Sequence, residues 1–532
     1  MSRNIRALSR QTGLQQNLFT AIQDSAGNKG SPDSTDLTAL AEQWRIGEAA
    51  SYATASFYDF LHSDNKGKRE WVCKGTACLM NGSSESAAAQ CDNHGDALCL
   101  GYCYQGGGLL RQDNEGKFQT RALSGDSFQA VTMPVYSFCD TAVLTSTVDH
   151  VEALYRVALD CSDAQQQLRL SGLRGRGGAG FPFALKVQAC AAEESVEKYI
   201  VCNADEGDPG AFSDRYLLEE QAHKVMAGMY AAGIACGAAQ GVLYIRREYP
   251  EAITIIARAI EYYQDLPADI SDKFSFYIIP GAGSYVCGEE TALLNSIEGQ
   301  RPEVRTRPPY PASYGLWGKP TLVSNVETFA TVPWILQHGG AAYSSIGTQK
   351  STGTKLLSLD AQFVRPGLYE VDMGADLETL VLEHAGGFKA PVKALQLGGP
   401  LGCIIPINKL AGLKLDFESM QQSGFALGHA GIVAIPQSFP IRDFLEHLFS
   451  YMAHESCGKC SPCRLGTAQG ARLLEAAGQG EKIDSKLFAD LLDTLEFGSL
   501  CALGGGLPLP VRNCLEYFQT ELAGYFSTGE SA

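Results

Sequence analysis

Three thiols fall within seven positions of the stretch ESCGKCSPCRLG, where Cys457, Cys460 and Cys463 are each separated by two residues. A two-residue gap lets successive sulfurs face one point, so this segment is built to wrap a metal centre. A structural zinc site is normally closed by two separated cysteine pairs or by histidine. C-x2-C-x2-C with one remote cysteine is instead the ferredoxin-like spacing of a [4Fe-4S] cluster. The remote thiol is Cys501 in GSLCALGG, which follows a helical stretch, FADLLDTLEF, that returns the chain. Pro462 stiffens the loop, and Lys459 and Arg464 would offset the charge of a thiolate-bound cluster.

A second set of thiols lies in WVCKGTACLMNG and ALCLGYCYQG, as Cys73-x4-Cys78 and Cys99-x3-Cys103. Two close pairs again point to metal, but plant-type [2Fe-2S] ferredoxins close with x2, so the spacing supports either a cluster or zinc. Cys91 lies between the pairs and is a substitute for one ligand. The scattered cysteines, Cys139, Cys161, Cys190, Cys202, Cys236, Cys287, Cys403 and Cys514, read as small core residues. The first residues, MSRNIRALSRQTGLQQ, contain no apolar segment or small-residue cleavage site, which places the expected product in the cytoplasm. There the 17 cysteines are reduced thiols rather than disulfides.

A chain of 532 residues exceeds one core and divides into several domains. Its net charge of −17 would repel phosphate backbones, which excludes sequence-independent nucleic-acid binding. Val225 to Ile245 runs uncharged for 21 residues, but it is rich in Gly and Ala and ends in GVLYI. It reads as a buried helix followed by a buried strand, with no direct membrane insertion.

Residues 1 to about 65 carry apolar positions at helical spacing, and from Trp71 to about Val148 short strand-like runs such as FQAVTMPVYSF form a small α/β unit. Between Val151 and about Gly340 the order is strand, helix, strand: EKYIVCNA, HKVMAGMYAAGIACGA, GVLYIRREY, EAITIIARAIEYYQ and FSFYIIPGAG. Such alternation predicts a largely parallel sheet covered by helices. Lys355 to about Pro436 holds short strands (KLLSLD, GLYEVDM, ALQLGG) and one helix (LETLVLEHAGG), an order that suits a β-grasp-like insert. From Ile441 onward the chain is helical again.

SGLRGRGGAGFP, residues 171 to 182, lacks the lysine–serine of a P-loop. Gly175, Gly177, Gly178 and Gly180 leave backbone free to approach a flat or phosphorylated ligand, although a glycine-rich turn is also simply a turn. Lys186 follows, placed to meet a phosphate or a nicotinamide carboxamide. IVCNADEGDPGAFSDR sets Asn203, Asp205, Glu206 and Asp208 after a strand, where parallel sheets form binding crevices. PGAGSYVCGEETALLNSIEG repeats the design with Tyr285, Gly288, Glu289 and Glu290. These carboxylates suit either acid–base work or ribose hydroxyls. Among nine histidines no hydrolytic triad signature appears.

The motifs LRGRGGAGFP, CNADEGDPGAF, GAGSYVCGEETALLNSIEG, RPPYPASYGLWGKPTLVSNVET and ESCGKCSPCR, in this order from about residue 170 to 505, resemble the flavin-containing, NADH-binding subunit of respiratory complex I and its relatives in NAD-linked formate dehydrogenases and hydrogenases. The resemblance implies an α/β multidomain chain: an N-terminal helical and thioredoxin-like [2Fe-2S] domain (1–148), a Rossmann-like FMN and NAD domain (149–345), a β-grasp domain (346–436) and a C-terminal helical bundle with the [4Fe-4S] cluster (437–532). It implies FMN lying against Gly175, Arg176, Gly177, Gly178, Lys186, Asn203, Asp205, Tyr285, Gly288, Glu289 and Asn325. It implies a nicotinamide held by Phe181, Lys186, Glu206, Asp208, Tyr285 and Glu290, with Glu206, Asp208 and Lys186 as the catalytic set. Cys457, Cys460, Cys463 and Cys501 match the family's [4Fe-4S] ligands, and CLGYC fits the second ligand pair of its [2Fe-2S] partner, giving Cys73, Cys78, Cys99 and Cys103.

Gly207 and Asp208 stand where the complex I form has Ser or Met followed by Glu, and Ser324 replaces the first of two asparagines, which leaves NAD against NADP open. The GDPGAF version and the fused N-terminal part look like the β-subunit of NAD-dependent formate dehydrogenase. That implies a molybdenum- or tungsten-containing catalytic α-subunit with iron–sulfur clusters as partner. The alternatives are the diaphorase subunit of an NAD-linked hydrogenase or of complex I and, from another class, a non-enzymatic iron–sulfur redox-sensing module.

Overall fold

The computed structural model describes residues 14, 18–26, 31–123 and 132–527. The first sheet begins at the first thiol. Strands β1 (Glu70–Cys73), β2 (His94–Ala97), β3 (Gly108–Gln112) and β4 (Phe118–Ala122) lie in the order β2-β1-β3-β4. β1 runs parallel to β2 and antiparallel to β3. The β3–β4 hairpin closes where Asp113 Oδ1 accepts the N–H groups of Glu115 and Lys117, each at 2.9 Å, an Asp-led turn of the kind that competes well with extended backbone. Of the strand expected through residues 128–138, residues 128–131 lie outside the described residues. Its remainder, β5 (Val135–Phe138), joins a different sheet.

The parallel sheet predicted for the middle of the chain is present. β6 (Tyr199–Ala204), β7 (Gln240–Ile245), β8 (Ser275–Pro280) and β9 (Thr321–Asn325) lie in the order β8-β7-β6-β9, every pair parallel. Side chains alternate across a strand, and β6 sends Ile200 and Cys202 to one face and Tyr199 and Val201 to the other. The first face is covered by helices Ala222–Cys236 and Val326–His338. The second face is covered by Leu18, Ile22, Leu37, Leu40 and Trp44 from the N-terminal helices Leu18–Ala26 and Ser34–Trp44, together with Leu293 and Leu294. Those helices therefore serve the parallel sheet and not the thiol-bearing one. The uncharged stretch 225–245 is a buried helix followed by β7, and no helix among the described residues is long and apolar enough to cross a membrane.

The third sheet has the order β13-β12-β14-β10-β11-β5, from β10 (Thr354–Leu359), β11 (Gly367–Asp372), β12 (Val392–Leu397), β13 (Cys403–Pro406) and β14 (Gly431–Pro436). β5 pairs parallel to β11, so one edge strand comes from before residue 148. The helix expected in LETLVLEHAGG is present as one turn, Leu377–Thr379, continued by the wider turn Leu380–His384. Four longer helices follow, Ile441–His454, Ser461–Gly478, Ser485–Gly498 and Pro508–Tyr517, with the short helices Ala502–Gly505 and Gln519–Leu522 beside them.

The helices that cover the first face of the parallel sheet touch backbone to backbone. A Cβ at Gly228 would sit 1.8 Å from the carbonyl oxygen of Phe329. Overpacking of a dense core costs about 1–3 kcal/mol, and here the obstacle is backbone. Gly228→Ala is therefore expected to lower stability by about 3 kcal/mol or more, read as a lower urea midpoint with an unchanged slope.

Candidate functional site

Helix Ile441–His454 ends directly before the three crowded thiols, and the next helix opens at Ser461 with Pro462 in its first turn. Cys463 belongs to that first turn, and Cys501 immediately precedes the short helix Ala502–Gly505. Gly458, at φ +77°, supplies the left-handed bend that folds the loop back. The result is a cavity opening into about 250 Å³, lined by Cys457, Cys460, Cys463 and Cys501 together with Ser456, Lys459, Leu500 and Leu503. Val286 and Val304 of the middle region form its remaining wall. Burial, with the neighbouring thiols adding to it, pushes Cys463 up to about 11 and Cys501 up to about 12. The donors are all soft sulfur, Val286, Val304, Leu500 and Leu503 make the wall apolar, and Cys460 and Cys463 stand at the N-terminus of helix Ser461–Gly478, the end that favours negative charge. This set fits a thiolate-ligated iron–sulfur cluster. Lys459 pairs with Glu303 at 2.9 Å, and Arg464 donates to the Gly458 carbonyl at 3.2 Å.

The N-terminal thiols also converge. Cys73 and Cys78 lie 3.3 Å apart and Cys99 and Cys103 3.7 Å apart, and Cys73 reaches Cys99. All four are at most 3% exposed. Cys99 is held lowest, by hydrogen bonds from Cys103 and Cys73 and by the charge of Arg246, while its partners Cys73 and Cys103 are raised. Cys91 does not join them: it packs against Val72, Ala87 and Leu109.

The carboxylates gather at the C-terminal ends of β6 and β9. Asn203 Nδ2 donates to the Gly288 carbonyl at 2.8 Å, and Asn203 Oδ1 accepts the Asp205 N–H at 3.2 Å. Asp205 Oδ2 and Glu289 Oε1 are buried with no hydrogen-bond partner. Unsatisfied buried acceptors are costly, so these two oxygens mark the place where a hydroxyl-bearing ligand fits. Burial pushes Asp205 up to about 8. The other oxygen of Glu289 caps helix Glu290–Ile297 through the N–H groups of Thr291 and Ala292. Lys186 Nζ bridges Glu290 at 2.9 Å and the Val323 carbonyl at 3.1 Å, and Glu290 also meets Arg307 at 3.0 Å. Asn325 caps helix Val326–His338 and donates to Asp214 at 2.6 Å. Gly177 is pressed on Asn325, where a Cβ would come within 3.1 Å of the asparagine Cβ. Gly175 donates its N–H to the Phe181 carbonyl at 2.8 Å, and the Phe181 ring is exposed. Gly178, at φ +110°, packs on the Gly428–His429 backbone.

Two expected site residues are turned elsewhere, and a third is paired within the site. Arg176 is 1% exposed, and its guanidinium points into the core, donating to Tyr343 Oη at 3.0 Å and the Thr352 carbonyl at 2.6 Å. The resemblance sets Arg176 against FMN, but its planar side-chain donors serve the packing between two units. Glu206 accepts from Asp214 N at 3.0 Å, Arg215 N at 3.2 Å, Ser213 Oγ at 3.2 Å and Tyr249 Oη at 3.0 Å. With both oxygens doubly occupied it holds the start of helix Ser213–Glu220 and has no acceptor site left for a substrate, a positioning task rather than a catalytic one. Asp208 accepts the Tyr285 hydroxyl at 2.7 Å and faces Gly399, so both members of that pair are engaged with each other.

One residue with no sequence signature sits among them. His429, from the turn before β14, lies 3.4 Å from Asp214 and 3.8 Å from Glu206. Burial works against its charge, but Asp214 and then Glu206 outweigh burial and push it up to about 9. A lone histidine in LGHAGIV carries no local motif, and only the folded chain brings it to the acids.

A crevice over a parallel sheet with unsatisfied acceptors, sharing a wall with a four-thiol cavity, defines a ligand-binding iron–sulfur protein of the electron-transfer class. Comparison with known proteins gives the family. Residues 168–334 match the Nuo51 FMN-binding domain, and residues 443–525 match the NADH-ubiquinone oxidoreductase-F iron–sulfur binding region. The F-type subunit of NADH-quinone oxidoreductase numbered 2 in Rhizobium meliloti (strain 1021) is 41% identical over 367 residues, 67% of this chain and 86% of that protein. The NADP-reducing hydrogenase subunit HndC of Solidesulfovibrio fructosivorans is 39% identical over 364 residues, 66% of this chain and 74% of that protein. A crystal structure of NAD+-reducing [NiFe]-hydrogenase in the air-oxidised state superposes with a TM-score of 0.83 at 29% identity, over 98% of this chain and 96% of that one. The chain belongs to the family of NADH-dependent flavin and iron–sulfur oxidoreductase subunits represented by the F-type subunit of NADH-quinone oxidoreductase.

Two outcomes follow for the site. Cys501→Ser is expected to lose the C-terminal cluster's iron while keeping the fold, seen as a loss of visible absorption and iron content with unchanged far-ultraviolet circular dichroism. His429 has a raised folded pKa, so its contribution is fully present below about pH 6.5, falls through the interval and is gone above about pH 9. The stability gap between the wild type and His429→Gln, measured in urea, is expected to shrink by up to about 3 kcal/mol across that interval.

Proposed function

We propose that the chain is the diaphorase subunit of an NAD-linked enzyme, exchanging hydride with NAD(H) at FMN and single electrons with two iron–sulfur clusters. The observation that carries this reading is the turn Tyr285–Gly288. Tyr285, Gly288 and the following Glu289 face the carboxylate crevice, while Val286 lines the four-thiol cavity. One turn thus has a hydride-handling site on one side and a cluster on the other. FMN, when bound, accepts electrons in pairs and releases them singly. The chain's own part is to bind, orient and exclude water.

Gly175, Gly177, Asn203, Asp205, Gly288, Glu289 and Asn325 would hold the flavin, with Asp205 Oδ2 and with Glu289 Oε1, which faces Arg307 at 3.8 Å without a hydrogen bond, accepting from its hydroxyls. Phe181, Lys186, Glu290 and the Tyr285–Asp208 pair would hold the nicotinamide. Cys457, Cys460, Cys463 and Cys501 would ligate the [4Fe-4S] cluster. Cys73, Cys78, Cys99 and Cys103, gathered without nitrogen or carboxylate donors, suit a [2Fe-2S] cluster.

The electron partner proposed is the molybdenum- or tungsten-containing α-subunit of a formate dehydrogenase, supported by the GDPGAF form of the β6 loop and by the fused N-terminal part. A second reading, the diaphorase of an NAD-linked hydrogenase, is favoured by the near-complete overlap with the hydrogenase chain. The test is anaerobic purification of the complex from its native host. NADH is expected to bleach the flavin band, and formate is expected to drive NAD reduction in material containing molybdenum or tungsten. Nickel with hydrogen-driven reduction establishes the second reading. Well-folded, iron-replete protein unable to hold a flavin overturns both.

A further inference from the structure

Two buried arginines of the middle region close on the loop that carries Cys99 and Cys103. Arg246, which follows β7, donates through Nη2 to the Cys99 carbonyl at 3.0 Å and through Nη1 to the Glu206 carbonyl. Arg215, in helix Ser213–Glu220, donates to the carbonyls of Leu100 at 3.5 Å and Gly101 at 3.4 Å and to the Tyr102 hydroxyl at 3.1 Å, with its guanidinium 4.2 Å over the Tyr102 ring. The two side chains are 5% and 4% exposed. Each is paired on its far side, Arg246 with Glu248 at 2.7 Å and Arg215 with Glu219 at 2.8 Å.

Apart from the Tyr102 hydroxyl and ring, the contacts are to carbonyl oxygens of the loop, and no hydrogen bond is to a thiol. A loop whose carbonyls face a guanidinium turns the opposite ends of its peptide dipoles, the N–H groups, toward the sulfurs, and Gly101 N donates to Cys99 Sγ at 3.4 Å. Buried, weakly screened positive charge beside a thiolate-ligated centre favours the state carrying one more electron. A purely mechanical latch would not require charge. Ordinary docking of two units is already provided by Gly75 packing on Pro209 and by the Ala361 N–H donating to the Cys103 carbonyl at 2.9 Å.

We propose that Arg215 and Arg246 form a cationic cradle that sets the reduction potential of the N-terminal cluster, with Glu248 as its counterweight. Arg246 is a positioning residue that acts through the Cys99 peptide, and the same guanidinium ties that loop to the Glu206 backbone at the edge of the flavin crevice. The proposal rests on the reading of Cys73, Cys78, Cys99 and Cys103 as cluster ligands.

The test is an anaerobic redox titration of the full chain, followed by electron paramagnetic resonance, with the C-terminal cluster's signal as internal reference. Arg246→Gln is expected to lower the reduction equilibrium constant of the N-terminal cluster at least tenfold, about 59 mV for one electron. Arg246→Lys is expected to restore most of that shift, because the charge is kept although the fork is lost. Glu248→Gln is expected to move the potential the opposite way, and it carries the test should Arg246→Gln fail to fold. Equal shifts for Arg246→Gln and Arg246→Lys, or an unmoved potential in Glu248→Gln, overturn the cradle while leaving the cluster in place. Wild-type protein with one four-iron cluster and no second signal overturns both the cradle and the ligand reading beneath it.

Discussion

The seven residues from Asp205 to Ala211, which leave the end of β6, are the contact on which every other unit depends. The Glu206 carboxylate starts the next helix, and its carbonyl meets Arg246. Gly207 lies against the Tyr285 ring, where a Cβ would be 2.5 Å away. Pro209 packs on Gly75, and the Gly210 backbone lies beside Cys103, so the N-terminal thiols rest on this same loop. On its other side Gly210 meets Val433 and Ala211 meets Gly431, both of β14. The Tyr451 hydroxyl of helix Ile441–His454 donates to the Gly207 carbonyl at 3.2 Å, so three sheets and the C-terminal helical region converge on one loop of a strand end, the position where parallel sheets bind ligands.

That convergence explains the unusual density of buried charge. Burial raises Asp205 and Glu455 to about 8 and Glu206 to about 7. Arg246, Arg215 and His429 stand among these acids, yet the oxygens of Asp205 and Glu248 that remain unpartnered show that the balance is incomplete in the protein alone. Leaving a buried acceptor empty costs about 1–3 kcal/mol. A fold that keeps several such oxygens around one crevice spends stability on a place prepared for polar hydroxyls, as functional sites often do.

The sequence disclosed the elements with strong local signals. β6, β7 and β8 were legible as apolar runs between helical stretches, and the C-terminal thiol cavity was legible because two-residue spacing fixes geometry without help from the fold. What stayed hidden depended on direction or on distant pairing. β5 looks like a neighbour of β4 but pairs with β11, more than 200 residues away, and β9 and β13, of five and four residues, are too short to stand out. Arg176, Glu206 and Asp208 occupy the right motif at the right strand end. A sequence gives their position along the chain, but the rotation that turns Arg176 toward Thr352 and Glu206 onto a helix start is decided by packing. His429 is the converse case, a residue with no motif that tertiary structure makes central.

The fused N-terminal region follows from the same physics. Its helices close the second face of the parallel sheet, so Val201, Val242 and Leu293 would meet water without them. Its thiol loop supplies the carbonyl partners of Arg215 and Arg246, and a buried charge stripped of its partners costs several kcal/mol. Both terms tie the stability of the middle region to the presence of the N-terminal one. Covalent linkage then holds the thiol loop at the crevice at a fixed, high effective concentration, so the distance between the four N-terminal thiols and the crevice does not depend on subunit association. In such a chain the placement of both thiol groups about the crevice is fixed by the fold itself, through the loop after β6 on one side and the Tyr285–Gly288 turn on the other.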